Sequence, residues 1–278
     1  MKKLFDSVSE DCSRSVTQSY STSFSMATKM LHSSIRNHIY NIYGFVRFAD
    51  EIVDSFDGFD KSTLLAEFKK DTYAAIENKI SLNPILNAFQ WVVNTYRVPH
   101  ELIETFMNSM EMDLDKKVYD KETYEKYILG SAEVVGLMCL KIFVGGDESE
   151  YNRLKMNAMK LGSAFQKINF LRDLNDDFNE LGRTYFPGIN MNDFNNIVKK
   201  EIEADIEKDF KLGYEGILML PKQARFGVYM AYKYYFKLFK KIKRTKAERI
   251  LEERVRIPNR KKARILVTSY VRHNLNML

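Results

Sequence analysis

The chain has 278 residues, of which 45% are hydrophobic and 29% charged, and its formal net charge is +6. This composition excludes an intrinsically disordered chain, and no apolar run reaches the roughly 20 residues that a membrane-spanning helix needs. Residues 1–15 lack the apolar core of a signal peptide, and Cys12 and Cys139 are isolated in the sequence. We therefore expect a protein of the reducing cytoplasm.

Helical periodicity dominates a sequence that has only 12 glycines and 5 prolines. It predicts an all-α fold of roughly ten helices, arranged as a single domain over residues 1–278. Asp57-Gly58 and Gly145-Gly146 supply stop signals, and several prolines suit first helical turns. The predicted helices span residues 33–56, 61–78, 84–96, 99–112, 123–146, 149–181, 191–212, 221–243 and 258–278.

A hydroxyl-rich segment, YSTSFS, occupies residues 20–25, just before the first long predicted helix. Two interpretations stay open for it. Serine and threonine commonly cap helix N-termini, so the segment can serve as a cap. Hydroxyls and backbone N–H groups at the start of a helix also bind phosphate, so it can serve as a phosphate cradle.

The stretch FADEIVDSF, residues 48–56, places three acids in an otherwise apolar helix. At 3.6 residues per turn, one narrow stripe of that helix carries Tyr43, Arg47, Asp50 and Asp54, whereas Glu51 lies off the stripe. One interpretation is a salt-bridge ladder in which Arg47 pairs with Asp50 and Asp54. The other is a polar face that converges on a ligand.

A second acidic stripe lies in QKINFLRDLNDDFNE, where Gln166, Asn169, Asp173 and Asp177 are spaced by three, four and four. Two such stripes in one all-α chain predict facing walls of a cavity. Carboxylate and amide oxygens suit Mg²⁺, with Mn²⁺ as the alternative, and Mg²⁺ commonly bridges carboxylates to a substrate phosphate. A calcium-binding loop is excluded, because phenylalanine stands at the sixth position, where that loop needs glycine.

Other chemistries lack their sequence signatures. No G-x-G-x-x-G or Walker sequence occurs, the four histidines show no HExxH spacing, and no serine has a G-x-S-x-G context. Residues 233–264 carry 14 Lys/Arg against 3 Asp/Glu, a net charge of +11, and begin KYYFKLFKKIKR. This interleaving of lysines and aromatics suits either a solvated helix face or contact with anionic lipid or nucleic acid.

The segments YSTSF, YGFVRFADEIVD, QKINFLRDLNDDFNELGRTYFP and ARFGVYMAYKYYFKLF, in this order and spacing, resemble the squalene and phytoene synthases. These enzymes join two prenyl diphosphates head to head. The resemblance implies an isoprenoid synthase fold, a helical bundle around a central cavity. It implies that Mg²⁺ is held by Asp50, Asp54, Asn169, Asp173 and Asp177, and that the four aspartates act in catalysis with Arg47. It implies contacts with substrate or diphosphate for Tyr20, Ser21, Thr22, Ser23, Tyr43, Arg47, Gln166, Arg172, Arg183 and Tyr235.

The ending, RIPNRKKARILVTSYVRHNLNML, is similar to bacterial phytoene synthases. The resemblance therefore implies synthesis of phytoene from two geranylgeranyl diphosphates, for carotenoid biosynthesis and without NADPH. Squalene or dehydrosqualene synthesis from farnesyl diphosphate is the alternative, and a non-catalytic prenyl-lipid-binding protein is a more distant one. Such an enzyme is expected to contact the inner face of the membrane transiently, and other enzymes of the carotenoid pathway, but no nucleic acid.

Two positions depart from the pattern of that family. Glu51 stands where many relatives have a second aspartate, and we expect little effect because Glu51 lies off the stripe. Gly130 stands where many relatives carry a tyrosine that is proposed to act in the rearrangement. Tyr127, one helical turn earlier, is the candidate substitute.

Overall fold

The structure is a computed structural model that describes residues 1–115, 118–179, 183–187 and 194–258. Over these ranges the chain is helical, with one isolated parallel bridge between Val118 and Thr184, and the predicted all-α class is confirmed. The helices are α1 (Lys2–Tyr20), α2 (Thr22–Thr28), α3 (Ser33–Ser55), α4 (Lys61–Asn78), α5 (Pro84–Tyr96), α6 (His100–Asp115), α7 (Lys121–Ile128), α8 (Val134–Phe143), α9 (Glu148–Asn179), α10 (Asn196–Met219), α11 (Lys222–Arg244) and α12 (Ala247–Glu252).

Six of the predicted helices match observed ones, with ends that agree within three residues: α3, α4, α5, α6, α9 and α11. Local signals explain this agreement. Asp60 and Asn83 accept hydrogen bonds from backbone N–H groups of the first turns of α4 and α5, as N-cap residues do. The predicted helix 258–278 falls almost wholly outside the described residues, so the single domain over 1–278 stays a prediction. Within the described ranges, no helix is both long and apolar enough to cross a membrane.

The predicted helix 191–212 is wrong at its C-terminal end, because α10 continues to Met219. Gly213 and Gly216 follow the predicted end, yet both lie inside the helix. An ideal Cβ at Gly216 would lie 2.4 Å from the Cβ of Asn157. These glycines therefore let α10 pack closely on α9, and the helix ends only where Pro221 removes a backbone donor.

The predicted helix 123–146 is divided by a π-helical turn, Leu129–Glu133, which separates α7 from α8. Gly130 lies in this turn, where an ideal Cβ would be 2.6 Å from the backbone oxygen of Thr105 and from the Cβ of Ser109. The turn thus presses directly against α6. A single π-turn inside a long helix commonly marks a functional site.

Helix α1 is absent from the predicted helices, and its buried face explains why. The residues that it buries are Ser9, Ser13 and Thr17, spaced by four, so the inward stripe is polar and small rather than apolar. A hydroxyl of this stripe lies against α3, since an ideal Cβ on Gly44 would be 3.0 Å from the Oγ of Ser13. Small polar residues let α1 and α3 approach closely. The sequence of α1 therefore lacks the periodic apolar residues from which an amphipathic helix is predicted.

Buried aromatic side chains hold the core around α3. The ring of Phe45 stacks on Phe89 of α5 at 3.8 Å between centroids and lies 5.4 Å from Phe106 of α6. Burial of each such side chain contributes roughly 1.5–3 kcal/mol. A second apolar cluster joins α9 through α12, with Phe210, Phe239 and other buried residues. Side chains of both clusters, and of two smaller ones, line a cavity between the helices.

Candidate functional site

The cavity has a volume of about 360 Å³ and lies among α2, α3 and α6 through α11. Along α9 its wall is one stripe of side chains, which includes Leu154, Ala158, Phe165 and Asn169. At a rise of 1.5 Å per residue, the stretch from Leu154 to Asn169 spans about 22 Å. The lining is mostly apolar, and its charged members, Arg47 and Asp50, belong to the acidic helix α3. We call the end near Arg47, Asp50 and Asn169 the mouth.

Arg47 is the central cation of the first wall. Its guanidinium pairs with Asp50 through one terminal nitrogen and with Glu51 through the other, and lies 4.4 Å from the ring centroid of Tyr20. The predicted salt-bridge ladder therefore forms in part. Asp50 is a partner as predicted, but Glu51 occupies the place expected for Asp54, because the long arginine side chain reaches sideways around the helix.

The hydroxyl-rich segment forms the start of α2. Ser21 is its N-cap residue, and its Oγ accepts a hydrogen bond from the backbone N–H of Phe24 at 3.3 Å. The cap interpretation is confirmed for Ser21, while Thr22 and Ser23 lie in the first turn. Phe24 stacks on Tyr43 of α3 at 4.7 Å, and burial raises the pKa of Tyr43 to about 12. Contact of this segment with phosphate stays a prediction.

Arg183 connects the first wall to a buried acid on α6. Its guanidinium lies 2.7 Å from Oδ1 of Asp54, donates to the backbone oxygen of Asp113 at 3.0 Å, and lies 3.8 Å from the Asp113 carboxylate. Asp113 also accepts hydrogen bonds from the hydroxyls of Tyr119 at 3.0 Å and Tyr127 at 2.6 Å. Burial raises the pKa of Asp113 to about 6, against the opposing effect of the Arg183 charge.

Tyr127 donates a hydrogen bond to the buried Asp113 and also lines the cavity. Its ring stacks on Tyr185 at 5.1 Å, and Tyr185 in turn stacks on Phe170 at 4.1 Å. A tyrosine at position 130 would collide with α6, since even a Cβ has no room there. The structure therefore places Tyr127 at the cavity and leaves no space for the tyrosine found in many relatives.

The second wall is the C-terminal half of α9. The hydroxyl of Tyr235 on α11 donates to Oδ1 of Asn169 at 3.3 Å, and the amide of Asn169 donates to Gln166 at 3.3 Å. Arg172 lies off the predicted stripe, yet its guanidinium reaches back to both carboxylate oxygens of the neighbouring Asp173, with Nε at 2.7 Å from Oδ1. The predicted residues of this wall thus form two contacting groups, Tyr235 with Asn169 and Gln166, and Arg172 with Asp173.

The two walls influence one another electrostatically. Burial, and after it the negative charge of Asp54, raises the pKa of Asp50 to about 7. Burial also raises the pKa of Asp177 to about 8, with added contributions from Asp173 on its own helix and from Asp54 across the mouth. Asp54 and Asp177 are therefore close enough for like charges to matter.

The donor set of the mouth fits a hard divalent cation. The oxygens of Asp50, Asp54, Asp173 and Asp177 are the ligands that Mg²⁺ prefers, and the pKa values of Asp50 and Asp177 are raised by burial first and by neighbouring carboxylates second. In the described part of the chain, no three acidic, histidine or cysteine side chains are already arranged around one point as a metal site requires. Three of these carboxylates instead form ion pairs with arginines: Asp50 with Arg47, Asp173 with Arg172, and Asp54 with Arg183. A cation would therefore exchange with arginine as the carboxylate partner.

The raised pKa values of Asp50 and Asp177 predict how stability depends on pH. Because these carboxyls titrate near pH 4 in the unfolded chain, the folded protein binds more protons between about pH 4 and pH 8, so their contribution to the free energy of unfolding falls as pH rises. We expect the Tm of chelator-treated protein, measured by differential scanning fluorimetry, to fall across that range. Mg²⁺ with pyrophosphate should raise Tm most at the alkaline end. An Asp50→Asn, Asp177→Asn double variant that declined equally steeply would contradict this account.

Two residues near the mouth, Asp113 and Arg254, are not among the predicted site residues. Asp113 has a usable signal, because it continues the buried stripe of Ile103, Phe106 and Met110 on α6 and so puts an acid on an apolar face. Arg254 has none. It lies after α12 in the chain, and its Nε is 2.6 Å from Oδ1 of Asp173.

The chain has relatives among known proteins. A profile of the squalene/phytoene synthase family matches residues 17–261. Presqualene diphosphate synthase of Rhodopseudomonas palustris is 30% identical over 168 residues, which cover 60% of this chain and 58% of that protein. Phytoene synthase of Pseudescherichia vulneris is 30% identical over 179 residues, covering 60% and 56%. The matched part thus spans little more than half the length of these relatives.

A solved dehydrosqualene synthase with a bound ligand has the same fold. It superposes with a TM-score of 0.81 at 19% identity and covers 97% of this chain and 98% of its own. The family profile matches far more than half of the chain, and the all-α bundle around a cavity agrees with it. The chain belongs to the squalene/phytoene synthase family.

Proposed function

We propose that the chain is a phytoene synthase, which condenses two geranylgeranyl diphosphates head to head into phytoene. The observation that carries this proposal is the meeting of two acidic helices, α3 and α9, at one end of a long apolar cavity. A diphosphate group suits the charged mouth and a prenyl chain suits the apolar length. Relatives of this chain include enzymes named for phytoene and for presqualene diphosphate, so the family alone leaves the substrate open.

Asp50 and Asp54 on α3, with Asn169, Asp173 and Asp177 on α9, are the residues that would hold Mg²⁺. When bound, Mg²⁺ would supply positive charge to the leaving diphosphate. Arg47 and Arg172 would add charge-assisted hydrogen bonds to the same anion, since guanidinium matches phosphate geometry. Both arginines now pair with carboxylates of the mouth, so binding of substrate would exchange one anionic partner for another.

The reaction begins when one substrate loses diphosphate and leaves an allylic cation. The C2–C3 double bond of the second substrate attacks that cation, and loss of a proton closes a cyclopropane ring that still carries one diphosphate. Departure of this second diphosphate opens the ring by rearrangement. Loss of a second proton then gives the linear C40 product with three conjugated double bonds at its centre, so two protons and two diphosphates leave and no reductant is consumed.

The cavity wall serves this chemistry by excluding water. Carbocations survive only where water is absent and where electron-rich groups face them. Tyr127, Phe165 and Phe24 lie in the wall, and Phe165 is held by stacking on Tyr235 at 4.1 Å. The Tyr127 hydroxyl is fixed by Asp113, so its ring has one orientation in the wall.

The length of the cavity supports the C20 substrate. Its wall extends along α9 for about 22 Å, four turns of helix from Asn169 to Leu154. The decisive experiment is a product assay by mass spectrometry, with purified chain, Mg²⁺ and either geranylgeranyl or farnesyl diphosphate. We expect a C40 hydrocarbon from the C20 substrate without NADPH. A C30 product from farnesyl diphosphate alone would favour the squalene or dehydrosqualene alternative instead. No turnover of either substrate would favour a non-catalytic prenyl-lipid-binding protein.

Filling the far end of the cavity should shorten the accepted chain. Ala158 lines the cavity eleven residues, about 16 Å, from Asn169 along α9. We expect Ala158→Phe to lower kcat/KM for geranylgeranyl diphosphate by at least about tenfold and to affect farnesyl diphosphate less. The control is Met156→Phe, two residues away and 60% exposed. Equal losses for both substrates in Ala158→Phe would contradict a length-selecting role.

The basic segment consists of the C-terminal half of α11, then α12 and the residues beyond it, as far as Pro258 in the described part of the chain. Its apolar members Leu238, Phe239 and Ile242 are fully buried, so they do not reach a membrane. Lys240 instead covers the ring of Phe236 at 4.5 Å. Any contact of the basic segment with a membrane is therefore electrostatic and sensitive to salt.

We expect the chain to float with anionic vesicles at low salt and to dissociate at about 0.3 M salt, where the Debye length is short. Replacing Lys237, Lys240 and Lys241, which share one exposed face, by glutamine should abolish flotation. A variant with the same change of charge on other helices provides the control: Lys70, Lys121 and Lys126 to glutamine. If both triple variants lost binding equally, the contact would reflect net charge and not this surface.

A further inference from the structure

A buried ionic cluster lies on the face of α9 that points away from the cavity. Its centre is Asp209 of α10, whose carboxylate accepts hydrogen bonds from Ser163 Oγ at 2.8 Å and from Lys167 Nζ at 2.7 Å. Lys167 is 8% exposed and Asp209 5%. Burial alone would lower the pKa of Lys167, but its hydrogen bonds to Asp205 and Asp209 outweigh burial and raise that pKa, so the lysine is charged. A lysine and a carboxylate thus form an ion pair inside the protein.

The cluster extends to the π-helical turn between α7 and α8. Lys160 of α9 lies 3.8 Å from the Asp209 carboxylate and 3.7 Å from the carboxylate of Glu133, which ends that turn. The backbones are close there as well, since an ideal Cβ on Gly162 would lie 2.7 Å from the backbone oxygen of Ala132. The cluster therefore joins three elements that line the cavity: α9, α10 and the π-helical turn.

Glycines form the contact between α9 and α10 on the cavity side of this cluster. An ideal Cβ on Gly213 would lie 3.0 Å from the Cβ of Leu161, and one on Gly216 would lie 2.4 Å from the Cβ of Asn157. Side-chain ridges that fit into grooves normally fix the register of two helices, and glycines supply no such ridge. A buried ion pair has one favourable geometry, so it can specify a single register where apolar contacts would allow several.

The register and rotation of α9 determine which groups face the cavity. Lys160, Ser163 and Lys167 are spaced by three and four and share one stripe of the helix. Phe165 lies about 200° around the helix from Lys167 at 3.6 residues per turn. Phe165 and Asn169 line the cavity from this opposite face. A rotation of α9 that displaced the ion pair would therefore also displace the ring and the amide in the cavity wall.

We propose that Lys167 and Asp209 are positioning residues, whose ion pair holds α9 in the register and rotation that direct Phe165 and Asn169 into the cavity. The inference rests on the proposed function and extends it to two groups on the far side of the helix from the substrate. The cyclopropyl diphosphate of that reaction has to stay bound and reorient before its diphosphate leaves. A displaced wall would still admit the substrate but would release more of this intermediate.

The test removes both charges and keeps the sizes of the side chains. In the Lys167→Met, Asp209→Asn double variant, the new amide still accepts a hydrogen bond from Ser163, and replacing a buried ion pair by neutral groups of similar volume commonly costs little stability. The full-length chain is incubated with Mg²⁺ and geranylgeranyl diphosphate, and mass spectrometry measures the cyclopropyl diphosphate and the C40 hydrocarbon separately. We expect the ratio of intermediate to hydrocarbon to rise about tenfold, with a smaller change in KM.

The matched control removes an ion pair that also joins two helices. Lys69 of α4 lies 3.0 Å from Glu111 of α6, and neither residue is among those that line the cavity. The Lys69→Met, Glu111→Gln double variant should keep the wild-type ratio. The Asp209→Asn single variant guards against a folding failure, because Lys167 keeps Asp205 as its partner there. We expect this variant to change the ratio in the same direction by a smaller factor.

The outcomes separate this inference from the proposed function. A wild-type ratio in the folded double variant, or in Asp209→Asn if the double variant does not fold, would overturn the inference, and the ion pair would then only stabilise the bundle. An equal rise in the control would overturn it too, as a general effect of loosened helix contacts. In both cases C40 synthesis by the wild-type chain would leave the proposed function standing. A C30 product from farnesyl diphosphate alone would overturn the proposed function, while the same ratio measured with that substrate would still decide the inference.

Discussion

Replacing Asp50 by asparagine is expected to lower turnover of prenyl diphosphate by about a hundredfold or more, with the fold retained. Asp50 lines the cavity, pairs with Arg47 and carries a pKa raised to about 7, first by burial and then by Asp54. An amide at this position keeps the size of the side chain but removes the charge that a divalent cation needs. Release of pyrophosphate, measured by a coupled phosphate assay, reports the effect.

Glu51→Gln is the matched control, because Glu51 is the next residue of α3 and pairs with the same arginine. It removes one negative charge from Arg47 but none from the cavity lining. We expect a change of less than about tenfold, since a charge at a site edge contributes less than one that faces the reacting group. If Glu51→Gln reduced turnover as much as Asp50→Asn, both residues would act through Arg47, and the assignment of Asp50 to the cation would be wrong.

The second large effect concerns stability. Asp113→Ala should lower the free energy of unfolding by about 3 kcal/mol, because it leaves buried groups without their partner. Asp113 lies 3.8 Å from the Arg183 guanidinium, which is itself buried, and accepts hydrogen bonds from Tyr119 and Tyr127. Arg183 keeps Asp54 as its second partner, which limits the loss. Urea unfolding monitored by circular dichroism measures it.

Tyr119→Phe is the control for that experiment. It removes one hydrogen bond to Asp113 and leaves the ion pair with Arg183, so we expect a loss of about 1 kcal/mol. Turnover gives a second readout, because Asp113 also fixes Tyr127 in the cavity wall and Arg183 beside Asp54. Asp113→Ala with wild-type stability would mean that water replaces the carboxylate, and the network would then not be buried in solution.

We propose that arginines at the mouth have two successive roles. Before substrate binds, they pair with carboxylates that would otherwise repel one another, as Arg183 does with Asp54 and Asp113. Under the proposed function, a prenyl diphosphate that arrives with Mg²⁺ would offer both sides a better partner, because the carboxylates would take the cations and the arginines would take the diphosphate. This exchange of partners would involve rotation of the long arginine side chains.

The helical periodicity of the sequence and its helix-capping residues were sufficient to predict the fold class, several helix boundaries and the two acidic stripes. The period of the apolar residues determined the all-α class, and the caps Asp60 and Asn83 determined where α4 and α5 begin. The same period separated Asp50 from Glu51 and aligned Asn169 with Asp173, because residues one turn apart share a face whatever the rest of the fold does. These are local properties, which is why they can be read without knowledge of contacts.

Only the tertiary structure decided which groups meet. Arg47 pairs with Glu51, whereas Asp54 pairs with Arg183, which comes after α9 in the chain. Helix α1 escaped prediction because its buried face is serine and threonine, and α10 passes through two glycines because α9 lies too close for a Cβ. Arg254 reaches Asp173 from 81 positions further along the chain, through a segment whose place depends on two buried side chains. Pairings between distant residues depend on packing, and packing has no period in the sequence.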